Sequence, residues 1–580
     1  MTDVHNQHHG RTAILRLGPP ILLALAIVAL WMGTYGKLNR VSWQYPPLYR
    51  GDALYELGII RAASFGYYCP GLWKTVPTLG APDRANWSDY PQTEDLHYAF
   101  FGVLAALLGL MPAANLALLI AFVLNGIGFY WACRLLHYRI LWSLIGALLY
   151  ACSHYAYARG FGHLELTYYA HLPLAIVATW WLASGAVTSI TTKRAVLVLA
   201  IAACSGFQNA YYSYILAQLI GLSILVNIVR IRKDRAQFHT ARIGGVALAV
   251  LLLGLLLGNI DTITYKWSHG PNLTILSRTY GDAERLALKP IELFLPYHRD
   301  WTLINDIHAQ YLRDAVFVGE FWAPYLGVVG IFGLIALAVF SFVRAAHRSK
   351  VSSGMPVGAW QVGWVFLLSV AGGINSIVAF CGFPLFRATN RYSIVILTIV
   401  LLFFVRMMTL WTRRWSLATQ TCLALAILCV GLIDQVFSKD VADLRSRLDS
   451  DRKFCAILES KLPPGSAIFQ LPVAEYPERG AIGKMGDYEH LRPFLYCSSL
   501  RFSYGDDKGR KPADSWDQKI EAMRGSAAIA QLREKAFVAV IINRDGYVDR
   551  GDALVSRLEV AGAAVITEAD NADLIALNLP

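Results

Sequence analysis

Between Tyr49 and His97 stand six acids, Asp52, Glu56, Asp83, Asp89, Glu94 and Asp95, in a sequence that is only 16% charged. Asp52 follows Gly51, whose missing side chain lets a ligand or another backbone approach closely. A carboxylate in that position can take the proton of an acceptor hydroxyl as a general base; the competing reading is an ordinary solvated loop acid. Asp89, Glu94 and Asp95 are candidates for a second acid. They compete with a helix start, because Thr93 or Asp95 just before the apolar run from Leu96 suits an N-cap. Farther along, Arg159 and His163 flank glycines in ARGFGHLEL, with Glu165 behind them as a further substrate-binding candidate. A guanidinium beside exposed backbone N–H groups suits a phosphate, although anchoring at a membrane boundary by snorkelling would use the same residue. Arg387 and Arg391 in FRATNRY make a second basic pair.

The elements that must position these residues are apolar. The 580 residues are 56% hydrophobic, with mean hydropathy +0.42, which fits a polytopic membrane protein and not a soluble one. Eleven runs approach the length of a span: Pro19–Tyr35, Ala114–Leu136, Ile140–Tyr155, Thr167–Ala186, Ala195–Phe207, Tyr211–Val229, Ile243–Ile260, Pro324–Val343, Val362–Phe380, Ser393–Leu410 and Leu417–Phe437. His97–Met111 reads as an interfacial helix that returns the first loop to the membrane.

The head MTDVHNQHHGRT lacks a cleavage site and reads as a cytoplasmic tail. With the N-terminus inside, the cytoplasmic loops collect Arg134 and Arg139, Lys193 and Arg194, the Arg230–Arg242 cluster with Arg232 and Lys233, Arg344, Arg348 and Lys350, and Arg413 and Arg414. Asp3 and Asp234 are the acids on that side. The positive-inside rule therefore sets the orientation and accounts for the net charge of +12 without any nucleic acid. The candidate residues above, and the long Asp261–Trp322 loop, then share the outer face. In that loop Lys266, Arg278, Arg285 and Lys289 read as ordinary surface.

After Phe437 the composition changes. Residues 438 to 580 carry turns such as LPPGS and strand-like runs at Ala467–Pro472, Phe537–Asn543, Ala563–Thr567 and Ala572–Leu577, with helices near Trp516–Met523 and Asp552–Val560. The expectation is an α-helical transmembrane region, residues 1–437 with outer loops 38–112 and 261–322, followed by a small extracytoplasmic α/β domain, residues 438–580. The nine cysteines show no metal-ligand spacing; a Cys455–Cys497 bridge is compatible with the sequence.

The segments LGAP…DYPQTEDLHYAFFGVLAALLGL, ARGFGHLELTYYAHLPLA, GGINSIVAFCGFPLFRATNRYS, FQLPVAEYPE, MGDYEHLRPFLYCSSLRFSYG and VIINRDGYVD resemble a group of bacterial membrane proteins placed near the GT-C superfamily of membrane glycosyltransferases. That resemblance implies a sugar moved from a polyprenyl-phosphate carrier to an acceptor on the outer side. It puts the catalytic acid of the first outer loop on Asp52 and a second acid among Asp89, Glu94 and Asp95. No DxD or ExD pair stands beside Asp52, so a divalent metal is compatible but not required, and no other cofactor is implied. The acceptor signature WWDYG of oligosaccharyltransferases is absent.

The leading expectation is a glycosyltransferase in a bacterial inner membrane, with its C-terminal domain outside. Arg159, His163, Arg387 and Arg391 would hold the donor phosphate, and the acceptor would be an envelope glycan, lipid or protein. A transporter or flippase of a lipid-linked precursor is the alternative; it calls for ionisable residues at mid-span, where Asn125 and Gln218 are the notable polar residues. A metal-dependent phosphoglycerol transferase is disfavoured because residues 438 to 580 contain His490 as their one histidine.

Overall fold

The structure is a computed structural model that describes residues 2–231, 234–235, 237–296, 302–346, 357–436, 442–511 and 515–580. Arg232, Lys233, Arg348, Lys350 and the boundary at Phe437 fall outside these residues.

The described residues of the eleven apolar runs lie mainly on helices, because a run can satisfy its backbone polar groups internally in that form. Among the described residues seven helical stretches are long and apolar enough to cross a membrane: Leu110–Leu135, Ile140–Thr167, Ala210–Ile231, Gln237–Leu257, Gly327–Ala346, Thr389–Arg414 and Leu417–Gln435. Gly18–Thr34, Asp95–Leu108, His171–Ala183 and Val357–Ser369 are shorter, as is Lys193–Gly206. Two of the expected spans are shortened by identifiable breaks. The run Val362–Phe380 is interrupted at Gly372 (φ +72°) and Gly373, where an added Cβ would meet the Leu367 carbonyl at 2.5 Å. The run Ile140–Tyr155 stops at Ala151, where Ser153 caps a separate helix, His154–Arg159, which ends at Gly160 (φ +51°). The expected interfacial helix is Asp95–Leu108. Its exposed Leu96, Phe100, Val103 and Leu107 form one apolar stripe, while Tyr98, Phe101 and Ala105 face the core.

The mid-span polar residues serve packing. Asn125 donates to the Thr167 carbonyl at 2.8 Å and accepts from the Tyr169 amide at 3.1 Å, bridging a helix break. Gln218 accepts from the Trp364 indole at 2.9 Å.

The C-terminal strands form a five-stranded sheet. With β1 (Tyr68–Cys69), β2 (Trp73–Val76) and β3 (Ala85–Asn86) in the first outer loop, they are β4 (Ala467–Leu471), β5 (Arg501–Phe502), β6 (Phe537–Asn543), β7 (Ala564–Glu568) and β8 (Leu574–Asn578). The order is β5-β4-β6-β8-β7; β4 is parallel to β5 and β6, and β8 is antiparallel to β6 and β7. The inner strands AIFQL and FVAVIIN are almost wholly buried, as expected of strands covered on both faces.

The first outer loop is stitched onto this sheet. The Gly80 and Ala81 amides donate to Tyr504 and Phe502 carbonyls, and the Phe502 amide donates to Thr78. Residues 78 to 81 thereby cover the exposed edge of β5. Cys455 and Cys497 are free thiols.

Candidate active site between the outer loops and the C-terminal sheet

Chain order reverses between β4 and β6, which leaves a crevice at their carboxyl ends. Loops from this edge, with Lys484, Asp545, Arg550 and Asp573, form one wall of a cavity of about 810 Å³. The facing wall carries Asp52, Arg159, His163 and Trp322.

Asp52 opens the helix Asp52–Ser64, and Gly51 before it adopts φ +53°, which turns the chain into the cavity. The Asp52 carboxylate is 3.2 Å from His163 Nδ1, and 48% of its side-chain surface is exposed, so a substrate hydroxyl can reach it. His163 Nδ1 also lies 2.6 Å from the Gly162 carbonyl. Loss of solvation in the cavity raises the Asp52 pKa above the usual aspartate range; His163 opposes the rise and Glu165 adds to it.

The expected phosphate-binding residues divide into two groups. Arg159 is 2% exposed and pairs with Glu320 at 2.7 Å, with its guanidinium 5.0 Å from the Trp322 ring centre. Its Nε and Nη1 have no hydrogen-bond partner among the described residues. Arg391 approaches Glu320 at 3.4 Å and His163 Nε2 lies 4.0 Å from it. Burial alone would raise the Glu320 pKa, but Arg159, Arg391 and His163 outweigh it and hold the carboxyl well below its ordinary value. Arg387 belongs to the second group, 3.7 Å from Asp282 and 3.9 Å from Glu478. Glu478 also takes two hydrogen bonds from Arg278, at 2.6 and 2.9 Å, and one from Tyr90 at 3.0 Å. Arg278, read from sequence as ordinary surface, is thus part of a partly buried ion-pair group.

The second-acid candidates do not line the cavity. Asp89 is buried against Arg510 and accepts from Asn272 at 3.0 Å. Asp95 pairs with Lys74 at 2.6 Å and accepts from Tyr68, and Lys74 also pairs with Asp261 at 2.8 Å. Glu94 occupies the helix N-cap position but makes no side-chain cap bond, so neither Thr93 nor Asp95 is the cap. Burial and the neighbouring Glu165 push Glu94 up to about 8. Glu165 stands beside Glu56, a buried acid that accepts from Tyr98 at 2.8 Å and is raised well above its ordinary value by burial and by Glu165. Among the described residues no group of three or more His, Cys, Asp or Glu is arranged to hold a metal ion.

The sequence reading missed Glu320 altogether. Its signal was a single acid among aromatics in FVGEFW, Phe317–Trp322; its partners lie far away in the chain, at Arg159 and Arg391.

No family model and no curated protein sequence matches the chain. Among solved structures, it is similar to ArnT from Cupriavidus metallidurans bound to undecaprenyl phosphate, with TM-score 0.49 and 11% identity over 97% of this chain and 98% of that one. It is also similar to the Archaeoglobus fulgidus oligosaccharyltransferase in the apo form, with TM-score 0.46 and 10% identity over 95% and 73% of the two chains. The same enzyme tethered to an acceptor peptide gives TM-score 0.45 and 12% identity over 97% and 74%.

Proposed function

We propose that this is an integral membrane glycosyltransferase that moves a sugar from a polyprenyl-phosphate-linked donor to an extracytoplasmic acceptor. The observation that carries the reading is the juxtaposition, in one cavity, of an accessible carboxylate, Asp52, with His163 and the buried Arg159, while Arg391 reaches the same Glu320 carboxylate that Arg159 pairs with. In the reaction Asp52 removes the proton of the acceptor hydroxyl, the acceptor oxygen bonds to the anomeric carbon, and the bond from that carbon to the carrier phosphate breaks. The departing phosphate gains negative charge. Cations beside it then stabilise the transition state more than the ground state. His163, between Asp52 and Glu320, keeps the base oriented.

The reading assigns residues 1–437 to the membrane and donor side and residues 438–580 to the acceptor side, where the loops after β4 and β6 form the opposing wall. It puts the N-terminus in the cytoplasm of a bacterial cell and the C-terminal sheet outside. No step is routed through a metal ion. The test has two arms. Mass spectrometry of lipid copurified with the protein is expected to find a polyprenyl-phosphate sugar. With that donor, Asp52→Asn at unchanged membrane levels is expected to lower transfer about 10²- to 10⁴-fold; full retention of transfer removes Asp52 from the base role.

A further inference from the structure

Glu320 lies where an anion belongs. Its carboxylate is met by Arg159 at 2.7 Å and Arg391 at 3.4 Å, with His163 Nε2 at 4.0 Å and Asn390 Nδ2 at 3.3 Å. Guanidinium groups bind carboxylates and phosphates through the same paired geometry. One carboxylate does not complete this site: Arg159 is buried with Nε and Nη1 unpartnered among the described residues, and buried donors without acceptors are costly. A phosphate, with more acceptor oxygens, is better suited to that cluster. Glu320 itself is carried by the connection between the helices Thr302–Asp314 and Gly327–Ala346 and not by a helix. Two positions on, Trp322 covers Arg159 and lines the cavity.

We propose that Glu320 is a built-in occupant of the phosphate site, displaced when a phosphate-bearing lipid binds and able to return as it leaves. The identity of that lipid rests on the glycosyltransferase reading above. A polyprenyl-phosphate sugar is a phosphodiester and carries one negative charge, the same as the Glu320 carboxylate, so the exchange leaves the charge of the cluster unchanged. The ligand's apparent affinity is lowered by the fraction of time Glu320 holds the site.

The experiment is calorimetric titration of the full-length protein in detergent with farnesyl phosphate as the probe. Glu320→Gln is expected to bind at least about tenfold more tightly than the natural protein. Glu320→Asp keeps the charge but shortens the reach, and is expected to bind more tightly as well; relief of simple charge repulsion would leave it unchanged. Thermal unfolding with inorganic phosphate is a second readout, because a protein missing its internal anion should gain more stability from an added one. Natural protein that binds the probe while both variants bind equally or more weakly overturns the proposal and leaves the glycosyltransferase reading standing. Absence of binding by all three proteins overturns both.

Discussion

Arg492 and Arg159 are both buried arginines beside the same cavity, and the protein completes their bonding to different degrees. Arg492, with none of its side chain exposed, gives Nε and Nη2 to Asp451 and Nη1 to Asp573 at 2.7 Å and Glu489 at 3.2 Å. Tyr49 donates to the same Asp451 at 2.6 Å, which ties this cage to the chain three residues before Asp52. Arg159 has one carboxylate partner and two nitrogens without any. A cage in which every guanidinium nitrogen is used is structural, and its ion pairs fix one arrangement. A cation left partly unsatisfied at a cavity wall is what the proposed phosphate site calls for.

The contrast is broken most forcefully by removing each arginine in turn. Arg492→Leu leaves Asp451 buried without its cation and Asp573 and Glu489 with Arg447 alone, and a loss of about 3–5 kcal/mol is expected. Arg159→Gln removes a cation whose own bonding is incomplete, so its cost in stability is expected to be smaller while sugar transfer is lost. Detergent-solubilised unfolding and a transfer assay on both variants separate the two roles. If Arg159→Gln is the more destabilising of the pair, the cluster around Glu320 is structural.

A pH-dependent effect sharpens the same contrast among the acids. Glu94 is sealed and Asp52 is open. Glu94 is raised from 4.5 to about 8, so from pH 4.5 to about 8 the folded state holds a proton that the unfolded state releases, and stability falls as pH rises through that window. Glu94→Gln removes this dependence. Relative to the natural protein the variant is expected to gain on the order of 1.4 kcal/mol per pH unit across the window. A difference that stays constant from pH 5 to pH 8 would show that Glu94 is ionised in the folded protein.

Much of the helical layer could be read from sequence because each span carries its own signal. The runs at Leu110–Leu135 and Ser393–Trp411 are apolar over enough residues to demand a helix wherever they sit. FVAVIIN announced β6 in the same way. What escaped were features that depend on a distant partner. Residues 78–81 show no strand pattern, yet they cover β5 more than 400 residues later. Glu320 acquires meaning only beside Arg159 and Arg391, and Arg492 only beside Asp451 and Asp573. Asp89 and Asp95 looked like Asp52 from composition alone; Arg510 and Lys74 occupy them in the fold. The Gly372–Gly373 break was visible, but the hydropathy on either side of it dominated the reading.

The finest distinction between an open and a sealed acid lies in how Asp52 titrates. As a general base it must be ionised, so transfer, measured as kcat/KM, is expected to fall on the acid side as Asp52 takes up a proton. Burial lifts that limb above the usual aspartate range, His163 pulls it down and Glu165 pushes it up. The two neighbours therefore move the limb in opposite directions when removed. His163→Gln takes away the opposing group and is expected to shift the limb to higher pH, on top of any loss of phosphate binding; Glu165→Gln is expected to shift it to lower pH. General damage to the cavity would lower the rate without moving the limb, or would move it the same way in both variants. A pH–rate profile for each variant thus reports whether the titrating group is the carboxylate that feels these two side chains in opposite directions.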